Sequence, residues 1–182
     1  MGTFTYLKNL VTDKNIASVT PSSTFTVKKT TRGIDFSKDN VIVEFGPGTG
    51  VFPEYLLKNM TTGSKLILIE LNTEFADILH GIQDERVSVY NESAEMVQDI
   101  LDNEGIITVD YFISGIPFSF LDEDMKDRIL SRASKMLAPE GRFLAYQTSS
   151  HLKKPLLRHF QNVETTYEWR NIPPMCIFEA SL

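Results

Sequence analysis

The fold of this chain is decided by the stretch Val41-Ile42-Val43-Glu44-Phe45-Gly46-Pro47-Gly48-Thr49-Gly50. A short apolar run with an acid at its fourth position is followed by a turn that has glycine at alternate positions. Apolar residues then recur at helical spacing through Leu57. The pattern predicts a strand, a tight turn and a helix. In open α/β sheets such a turn lies at the carboxyl end of a strand, where these sheets bind ligands.

The glycine turn differs from that of a dinucleotide-binding site. The dinucleotide fingerprint is G-x-G-x-x-G with a pyrophosphate at the helix N-terminus, whereas the spacing here is G-x-G-x-G with Glu44 just upstream. A carboxylate would repel a pyrophosphate, but it suits a ligand with cationic ammonium and sulfonium groups. The segment therefore resembles the first motif of class I S-adenosylmethionine (SAM) methyltransferases. The resemblance implies contacts with the methionine part of SAM from Glu44, Gly46, Pro47, Gly48 and Gly50. The alternative is an ordinary glycine-rich turn.

Two later strand ends provide further predicted cofactor contacts. A second apolar strand ends in Glu70, about one βαβ unit after the glycine turn, where an acid binds ribose hydroxyls. We predict this role for Glu70, with Leu71 beside it, although an acid here can also cap a helix. After the third strand, Glu92-Ser93-Ala94 falls where the family places an acid and a small residue beside the adenine. The alternative is that Ser93 caps a helix.

Strands and helices alternate from Val41 onward, which predicts a parallel sheet covered by helices. Two late strands joined by a short loop resemble the reversed C-terminal hairpin of the same family. The predicted fold is therefore α/β, a Rossmann-like class I methyltransferase fold with a mostly parallel seven-stranded sheet and helices on both faces. Predicted strands are 41–45, 66–70, 87–90, 109–114, 142–148, 163–169 and 175–180. Predicted helices are 51–59, 73–83, 94–103, 123–137 and 153–160, with another starting near residue 24.

Local signals refine this outline. Asn72 is a predicted helix N-cap, as is Ser22 or Ser23, and Pro139-Glu140-Gly141 is a predicted turn before the fifth strand. We predict one domain over residues 1–182. Residues 1–40 would form a helical lid or membrane-facing segment, and residues 41–182 would bind SAM.

Composition limits the function classes. The 182 residues have a net charge of −6, which argues against broad nucleic-acid binding. The chain shows no membrane-spanning apolar run and no signal peptide, and its single cysteine, Cys176, fits a reducing cytoplasm. Residues 1–40 hold six Lys/Arg against three Asp, a net charge of +3 that leaves −9 for the rest. This basic end, with an amphipathic helix predicted over residues 4–11, would suit an anionic lipid surface at the inner face of the cytoplasmic membrane. The uneven charge could equally be chance, and the helix could pack on the domain.

The loop after the fourth strand is the predicted acceptor site. It comprises Gly115, Ile116, Pro117 and Phe118, and Ser114 just before it joins the predicted cofactor contacts. Adenine amino-methyltransferases carry Asn/Asp/Ser-Pro-Pro-Tyr/Phe there, and the ribosomal RNA adenine dimethylases carry Asn-Leu-Pro-Tyr. Here the Pro-Phe half is present, but glycine replaces the residue that grips the base. This glycine argues against nucleic acid as a partner.

A more specific resemblance covers nearly the whole chain. The segments Thr20–Ser23, Glu44–Phe52, Ser114–Pro117 and Asn171–Pro174 occur in the order and approximate spacing of the bacterial phospholipid N-methyltransferases. That resemblance implies methyl transfer from SAM, with S-adenosylhomocysteine (SAH) as product, to the amine of phosphatidylethanolamine or a related amino-lipid. It also implies that the loop Asn171–Pro174 shapes the acceptor pocket, whereas the simpler interpretation is a proline-stiffened hairpin loop.

Methyl transfer to an amine requires positioning, desolvation and removal of a proton from the acceptor ammonium. Candidate bases near the expected mouth are Tyr6, Tyr146, His151 and Glu123, and the sequence does not choose among them. Phe118, Phe120 and Tyr146 could face a choline-like cation, although such aromatics more often belong to the core. No metal-ligand pattern is present, so no metal is predicted. The alternatives are a methyltransferase for a soluble small molecule, an rRNA-dimethylase-like protein, or a SAM-binding protein without turnover.

Overall fold

The computed structural model describes residues 23–182. The predictions for the helix over residues 4–11, for Tyr6 and for residues 20–22 lie outside the described residues. The helices of the described part are α1 Thr24–Thr30, α2 Val51–Asn59, α3 Thr73–His80, α4 Val97–Asn103, α5 Glu123–Met136 and α6 Lys153–Leu156. The strands are β1 Val41–Phe45, β2 Lys65–Ile69, β3 Val87–Tyr90, β4 Val109–Ser114, β5 Leu137–Gln147, β6 Asn162–Glu168 and β7 Met175–Ser181. Three short 3₁₀ turns, Ala94–Met96, Phe118–Phe120 and Ser150–Leu152, connect them.

The seven strands form one sheet in the order β3-β2-β1-β4-β5-β7-β6. Strands β1 to β5 are parallel, and β7 is antiparallel to both of its neighbours. The predicted fold is therefore confirmed, including the reversed C-terminal hairpin. The strand order reverses between β1 and β4, and open α/β sheets bind ligands outside the carboxyl ends of the strands at such a switch point.

Alternating side chains of each strand pack on opposite faces of the sheet, as the two-residue period of a strand requires. Val43 and Phe45 of β1 contribute to a core beneath α4 and α5, while Ile42 contributes to a core beneath α1, α2 and α3. Helices thus cover both faces. Across residues 23–182, no helix has both the length and the apolar character needed to cross a bilayer.

The predicted helix caps form as expected. The Asn72 side chain accepts hydrogen bonds from the backbone N–H groups of Glu74 and Phe75, at 2.8 and 3.2 Å. Ser23, one of the two serines considered, caps α1 by accepting from the Thr26 N–H at 3.3 Å. Each cap satisfies N–H groups that have no partner within the first turn of a helix.

The predicted turn at residues 139–141 is wrong, because these residues lie inside β5. Val109 of β4 pairs with Leu137, and Tyr111 pairs with Arg142. A step of two residues on β4 thus corresponds to a step of five on β5, and the strand absorbs the extra residues as an irregularity. Residues 139–141 have no register partner on β4, so the turn-forming residues make up the irregular part of the strand, between the paired Leu137 and Arg142.

Two helices end at least three residues earlier than predicted, and α4 begins at Val97, after a 3₁₀ turn over the first three residues of the predicted helix. α3 ends at His80 because the chain tightens at Gly81, where the backbone N–H bonds to Ile78 three residues back. α6 ends at Leu156, after which the N–H groups of Arg158 and His159 also bond three residues back. Each tighter turn replaces the predicted last turn of α-helix.

Candidate active site

The glycine turn and the loop after β4 meet at the carboxyl ends of the central strands. The Gly46 N–H donates to the Ile69 carbonyl of β2 at 2.9 Å, and the Gly115 N–H donates to the Phe45 carbonyl of β1 at 2.9 Å. A Cβ added to Gly46 would lie 3.3 Å from the Ile116 side chain. Three strands therefore bring the predicted cofactor turn and the predicted acceptor loop into direct contact.

Glu44 lies beneath this junction and is fully buried. Neither carboxylate oxygen has a hydrogen-bond partner among residues 23–182. Burial, reinforced by the nearby charge of Glu70, raises the pKa of Glu44 well above its ordinary value. A buried carboxyl group without a partner is costly. The Glu44 carboxyl group therefore fits a ligand with a cationic group, which would supply the missing hydrogen-bond partner.

Glu70 lies beside the turn with its carboxylate held by the backbone. One oxygen accepts from the Gly48 N–H at 3.0 Å, and the other accepts from the Asn72 N–H at 2.9 Å. Burial raises the pKa of Glu70, although the backbone hydrogen bonds act to lower it. Since a carboxylate has about four acceptor positions, the Glu70 oxygens can still accept from ligand hydroxyls beside these backbone N–H groups.

Gly48 marks the open side of the turn. Its φ of +56° belongs to the left-handed region that favours glycine, and a Cβ added there would meet no atom within 4 Å. The backbone N–H that reaches Glu70 thus borders free space. A ligand can lie along this edge in contact with both the turn and the Glu70 carboxylate.

The end of β3 has a residue that the sequence analysis missed. Asn91 donates from its side-chain amide to the carbonyls of Glu70 and Leu71, at 2.9 and 3.2 Å. Its side-chain oxygen accepts from the Thr73 hydroxyl at 3.0 Å. An asparagine directly after a predicted strand was the available signal. Asn91 fixes the backbone that presents Glu70.

The three residues predicted beside the adenine occupy different environments. Glu92 is exposed, Ser93 is half-buried and Ala94 is buried. The Ser93 hydroxyl accepts from the Glu95 N–H at 3.3 Å, so it caps the 3₁₀ turn that follows. The cap that was considered as an alternative is present, and contact with an adenine stays a prediction.

Gly115 of the acceptor loop has no room for a side chain. A Cβ there would overlap the Tyr146 hydroxyl and would lie 2.9 Å from the Gly46 carbonyl oxygen. The Tyr146 ring is fixed by stacking on Phe52, with 4.6 Å between the ring centroids and an interplanar angle of 6°. Tyr146 therefore occupies the place that a base-gripping side chain at position 115 would take.

Gln147, a second residue that the sequence analysis missed, holds the rest of the acceptor loop in position. Its side-chain amide donates to the Ile116 carbonyl at 2.7 Å, and its oxygen accepts from the Phe118 N–H at 3.2 Å. Phe118 itself is buried in the core, while Phe120 is half exposed. The Ser114 hydroxyl is buried and has no partner among the described residues. Ser114 could therefore bond to a ligand.

The candidate bases differ in their exposure and in their partners. Glu123 is exposed and pairs with Lys126 and Arg158, each at 2.7 Å, and these partners lower the pKa of Glu123. His151 lies exposed in the 3₁₀ turn after β5. The Tyr146 hydroxyl lies directly against Gly115 of the acceptor loop. No cluster of three metal-ligating side chains occurs within residues 23–182.

Comparison with known proteins identifies the reaction class. The ornithine lipid N-methyltransferase of Singulisphaera acidiphila is 27% identical over 162 residues, which cover 87% of this chain and 84% of that protein. Ribosomal RNA small subunit methyltransferase A of Thermotoga neapolitana is 30% identical over 139 residues, covering 75% of this chain but only 51% of that protein. This chain is a SAM-dependent methyltransferase. The resemblance predicted from its motifs is thus confirmed.

Solved structures agree with this class of fold. The 1,6-didemethyltoxoflavin N1-methyltransferase of Burkholderia thailandensis, solved with bound 1,6-didemethyltoxoflavin and SAH, superimposes with a TM-score of 0.68. It is 15% identical, and the match covers 98% of this methyltransferase and 87% of that chain. No protein-family model matches the sequence. The prediction of SAM as cofactor, with SAH as its product, is confirmed.

Proposed function

We propose that this methyltransferase acts on the amine of an amino-lipid headgroup, such as that of phosphatidylethanolamine or an ornithine lipid. The junction of Gly115 and Tyr146 supports this acceptor class most directly. A side-chain amide at position 115 would grip the planar amino group of a base, and Tyr146 leaves no space for one. A flexible aliphatic amine needs only an acceptor oxygen, which the Tyr146 hydroxyl and nearby carbonyls supply.

The named relatives and the charge support the same choice. The relative that matches over most of both chains is an ornithine lipid N-methyltransferase. The net charge of −6 disfavours an RNA surface. An rRNA-type acceptor is the second candidate, because the ribosomal RNA methyltransferase is 30% identical.

The residues around the glycine turn fit the cofactor. Glu44 would pair with its ammonium group, and the free acceptor positions of Glu70 would take its ribose hydroxyls. The glycine turn would contact the methionine part of SAM through Gly46, Pro47, Gly48 and Gly50. Leu71, Glu92, Ser93 and Ala94 would border its adenine, with Ser114 at the junction with the acceptor loop. SAM supplies an activated methyl group on a sulfonium when it is bound.

The acceptor side of the site has two tasks, which are orientation and removal of a proton. Gly115, Ile116, Pro117 and Phe118 would present backbone groups to the amine, and Gln147 holds them in position. An ammonium must lose one proton before its nitrogen lone pair can attack. The Tyr146 hydroxyl would accept a hydrogen bond from this ammonium and pass the proton towards water. The half-buried junction would limit the access of competing water to the methyl group.

We further propose that residues 1–40 form a lid or membrane-facing segment and that the protein works at the inner face of the cytoplasmic membrane. A basic segment on an acidic chain supports this placement, since such segments are attracted to anionic lipid headgroups.

The proposed acceptor is tested by following radiolabelled methyl groups from SAM into the lipid, RNA and aqueous fractions of one cell extract. Label that chromatographs with methylated amino-lipid is expected. Label confined to RNA would favour the second candidate, and label confined to a soluble product would refute both.

The role of Tyr146 is tested by Tyr146→Phe, with Tyr55→Phe on α2 as the matched control. We expect kcat to fall about 10²-fold for Tyr146→Phe, because a positioned proton-transfer group contributes on this order. The Kd for SAM should remain unchanged in both variants. Equal kcat values for the two variants would exclude Tyr146 from proton transfer.

A further inference from the structure

The tip of the β6–β7 hairpin exposes large apolar side chains. Trp169 is 71% exposed and Ile172 is 84% exposed. Tyr167, which stacks on Trp169 with 5.4 Å between ring centroids, and Phe25 of α1 are also exposed. Together with Arg170, these side chains form what we call the docking tip. Large apolar side chains that are exposed next to one another mark an interaction surface.

The docking tip lies on the same edge of the sheet as the active site. Gln147, the last residue of β5, pairs with Cys176, and Glu168, the last residue of β6, pairs with Met175. The loop between β6 and β7 therefore projects from the edge formed by the carboxyl ends of the parallel strands. A partner seated on this loop would lie beside the acceptor site.

The fold holds the docking tip in place. The Asn171 side-chain oxygen accepts from the Ser23 N–H at 3.2 Å and from the Thr26 hydroxyl at 3.0 Å. Its amide donates to the Pro173 carbonyl at 2.8 Å. Because these bonds tie the loop to α1, the exposed side chains belong to a built surface.

Arg170 links the two sides of the docking tip. Its guanidinium lies 4.2 Å from the centroid of the Phe25 ring, and its Nε and Nη2 each lie 2.8 Å from a carboxylate oxygen of Glu168. The carboxylate is buried, whereas most of the Arg170 side chain remains exposed. Arg170 therefore presents the cationic side of this ion pair at the surface, while the carboxylate lies beneath it.

The sequence around the docking tip is basic. Residues 23–30 contain Lys28 and Lys29 and no acid, and residues 167–178 contain Arg170 with a single acid, its buried partner Glu168, although the whole chain has a net charge of −6. Residues 148–161, which follow β5 at the active-site edge, contain no acid and add Lys153 and Lys154, while Arg158 there pairs with Glu123. Apolar and aromatic side chains bordered by cations match the interfacial layer of an anionic membrane.

We propose that the docking tip inserts into the headgroup layer of an anionic bilayer and so places the acceptor site over the lipid. A second copy of the chain is a poorer occupant. A symmetric pair would bring Arg170 and its basic neighbours against the same residues of the partner, where like charges repel. This inference rests on the proposed lipid acceptor, but it assigns membrane contact to residues 167–172 and Phe25 in place of the N-terminal segment alone.

Trp169 is the sole tryptophan of the chain, so its fluorescence reports on the docking tip. Phosphatidylglycerol/phosphatidylcholine vesicles provide an anionic surface without an acceptor amine. We expect the emission of Trp169 to shift to shorter wavelength on adding these vesicles and to be quenched by brominated lipid. Pure phosphatidylcholine vesicles should cause neither change. Because no acceptor is present, failure of docking and failure of the proposed acceptor are measured separately.

The matched variants are Ile172→Ser and Ile107→Ser. Ile107 is 87% exposed, but it precedes β4 at the opposite edge of the sheet. We expect Ile172→Ser to weaken vesicle binding at least tenfold with an unchanged Kd for SAM, and Ile107→Ser to change neither.

Three results would overturn the proposal. One is co-sedimentation with vesicles while Trp169 remains unquenched, which would place the contact elsewhere. Another is the absence of binding to anionic vesicles. The third is a concentration-dependent dimer, formed without lipid, that Ile172→Ser abolishes.

Discussion

Replacing Glu44 with glutamine tests two effects of this side chain. One is its effect on the free energy of unfolding of the free protein, and the other is its effect on the affinity for SAM. Both Glu44 oxygens are buried without a partner among the described residues, and burial raises the pKa of the carboxyl group. In the free protein the proton is therefore retained to higher pH than in the unfolded chain. Glutamine has nearly the same shape and cannot ionise.

The sign of the pH effect follows from the raised pKa. Below the ordinary glutamate pKa of 4.5, Glu44 is protonated in the folded and the unfolded state. As pH rises above that value, the unfolded chain loses the proton first, so the free energy of unfolding falls until the folded-state pKa is passed. The loss is at most about 1.4 kcal/mol per pH unit for one proton. Glu44→Gln removes this contribution, so above pH 4.5 the variant should gain stability relative to the wild type.

Cofactor binding should change in the opposite direction. A hydrogen bond to a charged group contributes about 1.5–3 kcal/mol, so Glu44→Gln should weaken SAM binding about 10- to 150-fold. In the wild type, SAM binding should displace the Glu44 proton, and affinity should rise with pH until that pKa is reached. The variant should lose this dependence.

The assay is calorimetric titration of SAM and denaturant unfolding over a series of pH values. Glu54→Gln is the control, because Glu54 lies exposed on α2 and pairs with Lys58 at 2.7 Å. Equal SAM affinity and an equal pH dependence of unfolding in Glu44→Gln and the wild type would refute the role of Glu44.

Three further substitutions test other parts of the site. Gly48→Val should abolish SAM binding, because the side chain would enter the open edge beside Glu70 at a φ of +56°; retained micromolar affinity by calorimetry would contradict this placement of the cofactor. Gly115→Ala should destabilise the protein by about 1–3 kcal/mol, the usual cost of overpacking, as measured by urea unfolding; an unchanged midpoint would show that Tyr146 moves away freely. Gln147→Leu should lower kcat while the Kd for SAM is maintained, because it releases Ile116 and Phe118 without touching the glycine turn; a lost SAM affinity with normal kcat would reverse that assignment.

The parts of the fold that were predictable from the sequence depend on local patterns. The apolar run and glycines at residues 41–50 define β1 and the turn, and Asn72 caps α3 through residues only two and three positions away. The irregular pairing of β5 was not predictable, because it is set by β4 rather than by residues 139–141.

The same distinction applies to the site. The placement of Glu44, Gly48 and Glu70 at the ends of the central strands was predictable, because each lies in an apolar strand or within three residues of its end. The overlap of position 115 with the Tyr146 hydroxyl and the bond from Gln147 to Ile116 join residues about 31 positions apart. Such contacts depend on the arrangement of β4 beside β5, which no local pattern encodes.

The central claim, methyl transfer to an amino-lipid at this site, is tested most directly with purified protein, SAM and vesicles of one lipid at a time. Mass spectrometry of the headgroup should find methyl groups on the nitrogen of phosphatidylethanolamine or ornithine lipid with the wild type, and none with Gly48→Val. Unmodified lipid together with methylation of RNA or a soluble amine by the same preparation would contradict the claim.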